Sequence, residues 1–243
     1  MAIPPKYGHV YKDATEKAQK FKVVKANVEF IESFNSENHK FFLGGNQFPD
    51  LTNEEFKMTK ANKGYKASLE RAPTGFRYKN MSLDALLATG CASGLMDDAF
   101  KFIISNGVLT GESSYPYTTE DGKCKSGSKD AATIKSYEDV PTNNEGALMA
   151  AVVNQPISVA VDGGDMIFQF YKGGVMNGSC GTDLDHGIAT IGYGKTSDGT
   201  KYWLLKNSWG TTWGENGYLR MKKDISDKRG MCGLAMEPSY PTA

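Results

Sequence analysis

Phe21, Val24, Val28, Ile31 and Phe34 recur at steps of three and four between lysines and glutamates, which predicts an amphipathic helix over about residues 13–35. Such a helix has to lie on an apolar surface. Residues 39–43 read as a short strand closed by Gly44 and Gly45, and Thr52 with Glu55 makes a capping box for a short helix that includes Phe56. Residues 60–82 are mostly polar, with Gly64, Pro73 and Gly75 as breakers, and read as a linker. Beyond it, Leu95, Ala99, Phe102 and Ile103 share one helical face, and Gly107 supplies the stop. Thr142 and Glu145 form a second capping box, for a helix through Ala147, Leu148, Ala151 and Val152 that Pro156 ends. The period then changes. Residues 157–161, 188–193, 202–205 and 218–221 are short apolar or aromatic runs between glycine-rich turns, hence strands. The pattern is α+β, in two halves that meet near residues 63–93, with the strands gathered towards the C-terminus.

Composition removes several function classes. Lys+Arg 28 balances Asp+Glu 28, so no basic surface for nucleic acid or anionic membrane is implied. The 4 Cys lack paired C-x-x-C spacing, so no structural metal is expected, and the chain as a whole calls for no cofactor. No apolar run reaches the ~20 residues of a membrane span, and residues 1–10 show no signal-peptide core, so the chain as written carries no address.

Of the 3 His, His186 stands at the mouth of one predicted strand, and Asn207 stands at the end of the next. If residues 194–199 form the turn of an antiparallel hairpin, residue 193 faces 200 and His186 faces Asn207, on the same side with Cβ atoms ~5 Å apart. The amide oxygen could then accept a ring N–H and fix the tautomer of a catalytic base, with Trp209 and Trp213 covering the bond from water. On these residues alone, a His and an Asn satisfying each other at a barrel rim is the favoured reading.

The blocks around them alter that balance. Asp-His-Gly-Ile-Ala from Asp185, Gly-Tyr-Gly from Gly192, Asn-Ser-Trp-Gly from Asn207 and Trp-Gly-Glu-Asn-Gly-Tyr from Trp213 resemble the His and Asn blocks of papain-like cysteine proteases, particularly plant vacuolar or secreted ones. The resemblance runs almost unbroken over residues 94–243. In the first half, Glu16, Asn27, Ile31 and Asn35 fall on the spacing of that family's propeptide helix motif, with Lys20 in place of Arg and Val24 in place of the usual aromatic. Gly44, Asn46, Phe48 and Asp50 match its second propeptide motif in full.

The resemblance implies a papain-like two-domain fold, with a truncated helical left domain and a β-barrel-like right domain, preceded by a mainly helical propeptide domain. Residues 1–70 would be an inhibitory propeptide with its first helix cut short, residues 71–93 a linker and deletion junction, and residues 94–243 an incomplete peptidase domain. His186 and Asn207 would be catalytic, with Trp209 and Trp213 shielding them. Gly94 would pair with bound peptide, although Ala92 and Ser93 depart from the family's Glu and Gly. Met96, Ala160, Leu184 and Gly187 would line a side-chain pocket with Glu237 at its base, suited to hydrophobic and some basic side chains. Cys180 and Cys232 would pair, leaving Cys91 and Cys124 without their usual partners. The implied setting is vacuolar, lysosomal or extracellular, with a monomer acting on peptide or protein substrates. Sequons at Asn80 and Asn177 matter in such a lumen.

One part is missing. The family carries its nucleophile in a Cys-Gly-[Ser/Ala]-Cys-[Trp/Tyr] block ~130–150 residues before the His, and no cysteine here precedes Cys91. The Gln that donates to the oxyanion is absent with it. Residues 84–89 resemble the junction before the mature enzyme, and residues 90–94 resemble a substrate-binding block far downstream, so the intervening stretch and its central helix are gone. Cys91 precedes a helix N-terminus that would lower its pKa, but its counterpart is a disulfide cysteine, which makes it a weak substitute. The expectation is a homologue unable to hydrolyse peptides by the family mechanism. Alternatives are an inhibitor of papain-like proteases acting through its pro-region, or a misjoined gene product without function of its own. With the central helix gone, an ordered region over 133–243 and a loosely attached N-terminal half are expected.

Overall fold

The computed structural model describes residues 10–61, 94–107, 109–116, 130–178 and 180–243. Helix α1 spans Ala14–Ser36 and is capped by Asp13, whose carboxylate accepts from the Glu16 N–H. Only Val24 and Asn27 on it are buried, and Phe21 is 48% exposed. The predicted apolar stripe is therefore corrected at its first member: the helix rests on Val24, Phe30, Ile31 and Phe34, while Phe21 faces outward. The amides fix its seat. Asn27 Nδ2 donates to the carbonyls of Pro49 and Leu51 at 2.9 and 3.0 Å, and Asn35 exchanges two bonds with the backbone of Leu43.

Strand β1 (Phe41–Leu43) leads to α2 (Asn53–Phe56), where both halves of the Thr52–Glu55 capping box are present, and a π-helical turn follows over Lys57–Ala61. Helix α3 (Met96–Asn106) ends at Gly107, which has φ +84° and so relieves the left-handed cap. No residue of α3 is buried, and it leans on the sheet through Phe100, whose ring centroid is 5.9 Å from that of Tyr137.

The remaining elements are β2 (Leu109–Thr110), β3 (Asp130–Ala132), β4 (Ser136–Asp139), α4 (Glu145–Val152), β5 (Ile157–Val161), α5 (Met166–Phe170), β6 (Tyr171–Met176), β7 (His186–Lys195), β8 (Lys201–Lys206), β9 (Tyr218–Lys222) and β10 (Ser239–Thr242). The predicted Thr142–Glu145 box does not form. Asn144 caps α4 instead, and Glu145 accepts from Trp203 Nε1 at 2.6 Å and from the Asp224 N–H at 3.0 Å.

Eight strands make one sheet in the order β1-β6-β9-β8-β7-β5-β10-β4, in which β6 and β9 are parallel. Its first strand comes from the N-terminal half. β1 pairs antiparallel with β6, and the crossing requires glycine at 174, where φ is +92° and a Cβ would stand 2.5 Å from the Lys40 carbonyl oxygen. Phe41, Leu43, Phe48 and Phe56 join Val159, Phe168, Trp203 and Trp213 in a shared hydrophobic core. The expectation of a loosely attached N-terminal half is thus overturned for residues 14–61: they supply a strand and core side chains to the sheet.

The β7–β8 hairpin also departs from the predicted register. Ala189 faces Lys206 and Thr190 faces Leu205, a bulge follows, and Gly192 to Lys195 face Leu204 to Lys201. The turn is 196–200, held by Thr196 and Asp198 accepting from the Thr200 N–H, rather than 194–199.

Candidate active site

His186 opens β7 opposite Val161 of β5, and Asn207 follows the last residue of β8. Continuing the Ala189–Lys206 register sets Ile188 across from Asn207, so His186 is a diagonal neighbour on the same face and not the directly opposed residue. A shift of two residues leaves the face unchanged, and the bond forms: His186 Nε2 and Asn207 Oδ1 are 2.9 Å apart. The Ser208 N–H donates to the same Oδ1 at 2.7 Å, which identifies that atom as the amide oxygen. An oxygen there can only accept, so Nε2 carries the ring proton and Nδ1 of the neutral imidazole is left as an acceptor. Asn207 Nδ2 is buried with no hydrogen-bond partner among the described residues.

Trp209 stacks on the imidazole, with ring centroids 4.6 Å apart and planes at 22°. Trp213, fully buried, meets Trp209 edge-on at 5.1 Å and donates its Nε1–H to the Phe168 carbonyl at 3.0 Å. His186 is only 9% exposed, and this burial holds its pKa down to about 4, outweighing the opposite pull of the Asn207 bond. Asp185 moves the other way. Burial pushes its carboxyl up to about 6, with Asp162 and Asp183 adding to the rise, while the Gly163 N–H at 2.8 Å and Lys57 oppose it.

The N-terminal region closes over the outer side of this cluster. Phe56 and Phe48 meet Trp209 edge-on at 5.1 and 5.9 Å, and Gln47 donates to the Trp209 carbonyl and accepts from Thr212. Asn46, fully buried, donates to the Gln169 carbonyl at 2.6 Å and accepts from the Phe48 N–H, while Gln169 Nε2 answers to the Leu51 carbonyl at 3.3 Å. The Gly44 N–H donates to the Phe170 carbonyl, and Asp50 accepts from the Tyr11 hydroxyl at 3.3 Å. Lys20 pairs with both carboxylate oxygens of Glu55 at 2.8 Å, tying α1 to α2. Glu16 accepts at the start of α1 from the Lys12 N–H. Gln47, Phe56, Gln169 and Ser208 were not among the sequence candidates. Gln47 lies inside the second propeptide motif and Phe56 inside the capped helix, and those positions were the available signal.

The proposed peptide-binding residues are only partly gathered. Ala160 faces Gly187 across β5–β7, and Met96 Sδ lies 3.8 Å from where a Cβ on Gly187 would stand. Leu184 is buried against Gly233, Glu237 is buried, and Gly94 is exposed ahead of α3. The Cys180 and Cys232 sulfurs are 2.08 Å apart in a disulfide, which removes both as nucleophiles. Cys91 and Cys124 lie outside the described residues, so no described thiol reaches His186. No helix among the described residues is long and apolar enough to cross a membrane, and no described His, Cys, Asp or Glu cluster could hold a metal ion.

Comparison with known proteins agrees on one family. The sequence model for papain family cysteine proteases matches residues 79–242, and that for the cathepsin propeptide inhibitor domain matches residues 5–56. Senescence-specific cysteine protease SAG39 of Oryza sativa subsp. indica is 60% identical over 296 residues, covering 98% of this chain and 87% of the rice protein. A match of 296 positions to a chain of 243 residues leaves at least 53 positions of the relative with no counterpart here. Among solved structures, a recombinant stem bromelain precursor superposes with TM-score 0.83 at 38% identity, covering 98% of this chain and 95% of that one. The proform of Amb a 11, a cysteine protease and ragweed pollen allergen, gives TM-score 0.84 at 28% identity, covering 98% and 82%.

Proposed function

The chain belongs to the papain family of cysteine proteases, and from that premise we propose that it is a pro-form-like member that keeps the base and its orienting amide but not the nucleophile. The observation that carries this reading is the buried His186–Asn207 bond beneath Trp209, with Nδ1 left as a proton acceptor and no described thiol beside it. Peptide hydrolysis by this route needs a thiolate whose proton has passed to the imidazole, and donors for the tetrahedral oxyanion. Here the ring is neutral above about pH 4, and neither the nucleophile block nor its Gln occurs in the sequence. The 53 or more unmatched positions of the rice relative support loss of a segment, and the junction between residues 84–89 and 90–94 is where the sequence motifs put it.

Residues 1–70, with the first helix cut short, act in this reading as a lid over a peptidase domain, 94–243, that retains Ala160, Gly187 and Met96 of its peptide-binding wall. Inhibition of an intact relative in trans is the weaker reading, because Asn46, Phe48 and Phe56 are already engaged within the chain. An oxidising lumen, vacuolar or extracellular, is the proposed location, supported by the Cys180–Cys232 disulfide.

Purified chain assayed at acid pH in reducing buffer with fluorogenic dipeptide substrates should show no turnover. Turnover blocked by a thiol-directed epoxide and lost in Cys91→Ala would overturn the reading and make Cys91 the nucleophile.

A further inference from the structure

We propose that Asn177 is an N-glycosylation site, a modification that rests on the lumenal reading above. Asn177-Gly-Ser179 satisfies the Asn-x-Ser rule with a residue other than Pro between, and Ser179, which lies outside the described residues, enters by its identity alone. Asn177 directly follows the last residue of β6: Met176 is buried in the sheet, and the next two positions, Asn177 and Gly178, are exposed. A sugar on Asn177 Nδ2 therefore has solvent to occupy and displaces no core side chain.

The second observation is chemical. Three residues further on, Cys180 is bonded to Cys232, and such bonds form and persist in the oxidising compartments where protein also meets oligosaccharide donors. The reaction is a transfer from a lipid-pyrophosphate-linked oligosaccharide. The bond between sugar C1 and the pyrophosphate oxygen breaks, a bond from C1 to Asn177 Nδ2 forms, the amide nitrogen loses one proton, and the lipid pyrophosphate leaves.

The location gives the modification a structural setting. The end of β6 that carries Asn177 is the end where the Val175 N–H donates to the Lys40 carbonyl at 3.2 Å, and a Cβ at Gly178 would stand 3.8 Å from Phe41 Cζ. The glycan thus stands at the seam where strand β1 of the pro-region joins the sheet.

The test is expression of the full chain through the endoplasmic reticulum of plant cells, as parent, Asn80→Gln, Asn177→Gln, Ser179→Ala and Ser179→Thr. Peptide-N-glycosidase treatment is read by gel mobility, by mass spectrometry for conversion of Asn177 to Asp, and by alkylation of free thiols. The parent, Asn80→Gln and Ser179→Thr should each show Asn177 converted, and Asn177→Gln and Ser179→Ala should each lose one glycan step while Cys180 and Cys232 stay protected from alkylation. An unmodified Asn177 in a parent chain whose Cys180 and Cys232 are protected would overturn the glycosylation proposal alone. An unmodified Asn177 with both cysteines alkylated would overturn it together with the lumenal reading.

Discussion

The Nε2 proton of His186 has one acceptor, and that acceptor is fixed by a backbone N–H. Replacing Asn207 with Ala strands this ring N–H in a buried site, which costs about 1–3 kcal/mol. The expected result is a lower urea midpoint with an unchanged slope. Asn207→Asp keeps the geometry and adds a negative charge at 2.9 Å, so it should raise the imidazole pKa above its present value near 4. Nitrogen-15 NMR of the ring at pH 5.5 reads both: a neutral ring protonated at Nε2 in the parent, and a charged one in the Asp variant. A charged ring in the parent at that pH would show that burial does not dominate the site. The pairing of His186 with Asn207 was legible because both stand beside strands in a chain with few histidines. The diagonal relation was not: the turn sits at 196–200 rather than 194–199, which moves the register by three residues, and the bulge between Thr190 and Gly192 takes back one, neither having a signature in residues that continue the alternation.

Between elements, the short apolar or aromatic runs between glycine-rich turns were the strands visible in sequence: β5 has the predicted ends, and β7, β8 and β9 contain the predicted runs. Strand β6 was missed because Gly173 and Gly174 interrupt it, β10 because it contains Pro241, and β4 because an edge strand can be Ser-Tyr-Glu-Asp. The glycine that hid β6 is what admits β1. Gly174→Ala would push a methyl into the Lys40 carbonyl at a left-handed φ, so β1 should separate from β6, and hydrogen exchange should speed up at Val175 and Gly44 while the β7–β8 amides stay protected. Phe56→Ala removes a fully buried ring from the Trp209 cluster and should destabilise the chain by about 3–5 kcal/mol, measured by chemical denaturation. Helix α3 is the opposite case. None of its residues is buried, so its amides should exchange faster than those of α1, β1 and the β7–β8 hairpin. Equal protection across α3 and β7 would show that the helix has a partner these contacts do not reveal.

At the scale of the whole molecule, pairing between residues 41 and 174 is a contact no local pattern predicts, and it makes one folding unit of two halves that look separate in sequence. The acid response of that unit is set near the site by two neighbours of opposite sign. His186 has a folded pKa of about 4 against about 6.5 unfolded, so the unfolded chain takes the proton first and stability falls as pH drops from 6.5 to 4. Asp185 has a folded pKa of about 6 against an ordinary value near 4, so the folded chain takes the proton first and stability rises over nearly the same window. Each displacement corresponds to about 3 kcal/mol, and the two largely cancel in the parent. Asp185→Asn keeps an acceptor for the Gly163 N–H and removes one of the two opposing titrations. It should therefore be more stable than the parent at pH 7 and lose that advantage towards pH 4, falling by about 3 kcal/mol more than the parent across the interval. His186→Gln should do the reverse and gain stability relative to the parent as pH falls. Urea midpoints measured from pH 7 to pH 4 decide it: parallel curves for parent and Asp185→Asn would mean that Asp185 titrates as an exposed carboxylate and that the cancellation does not exist.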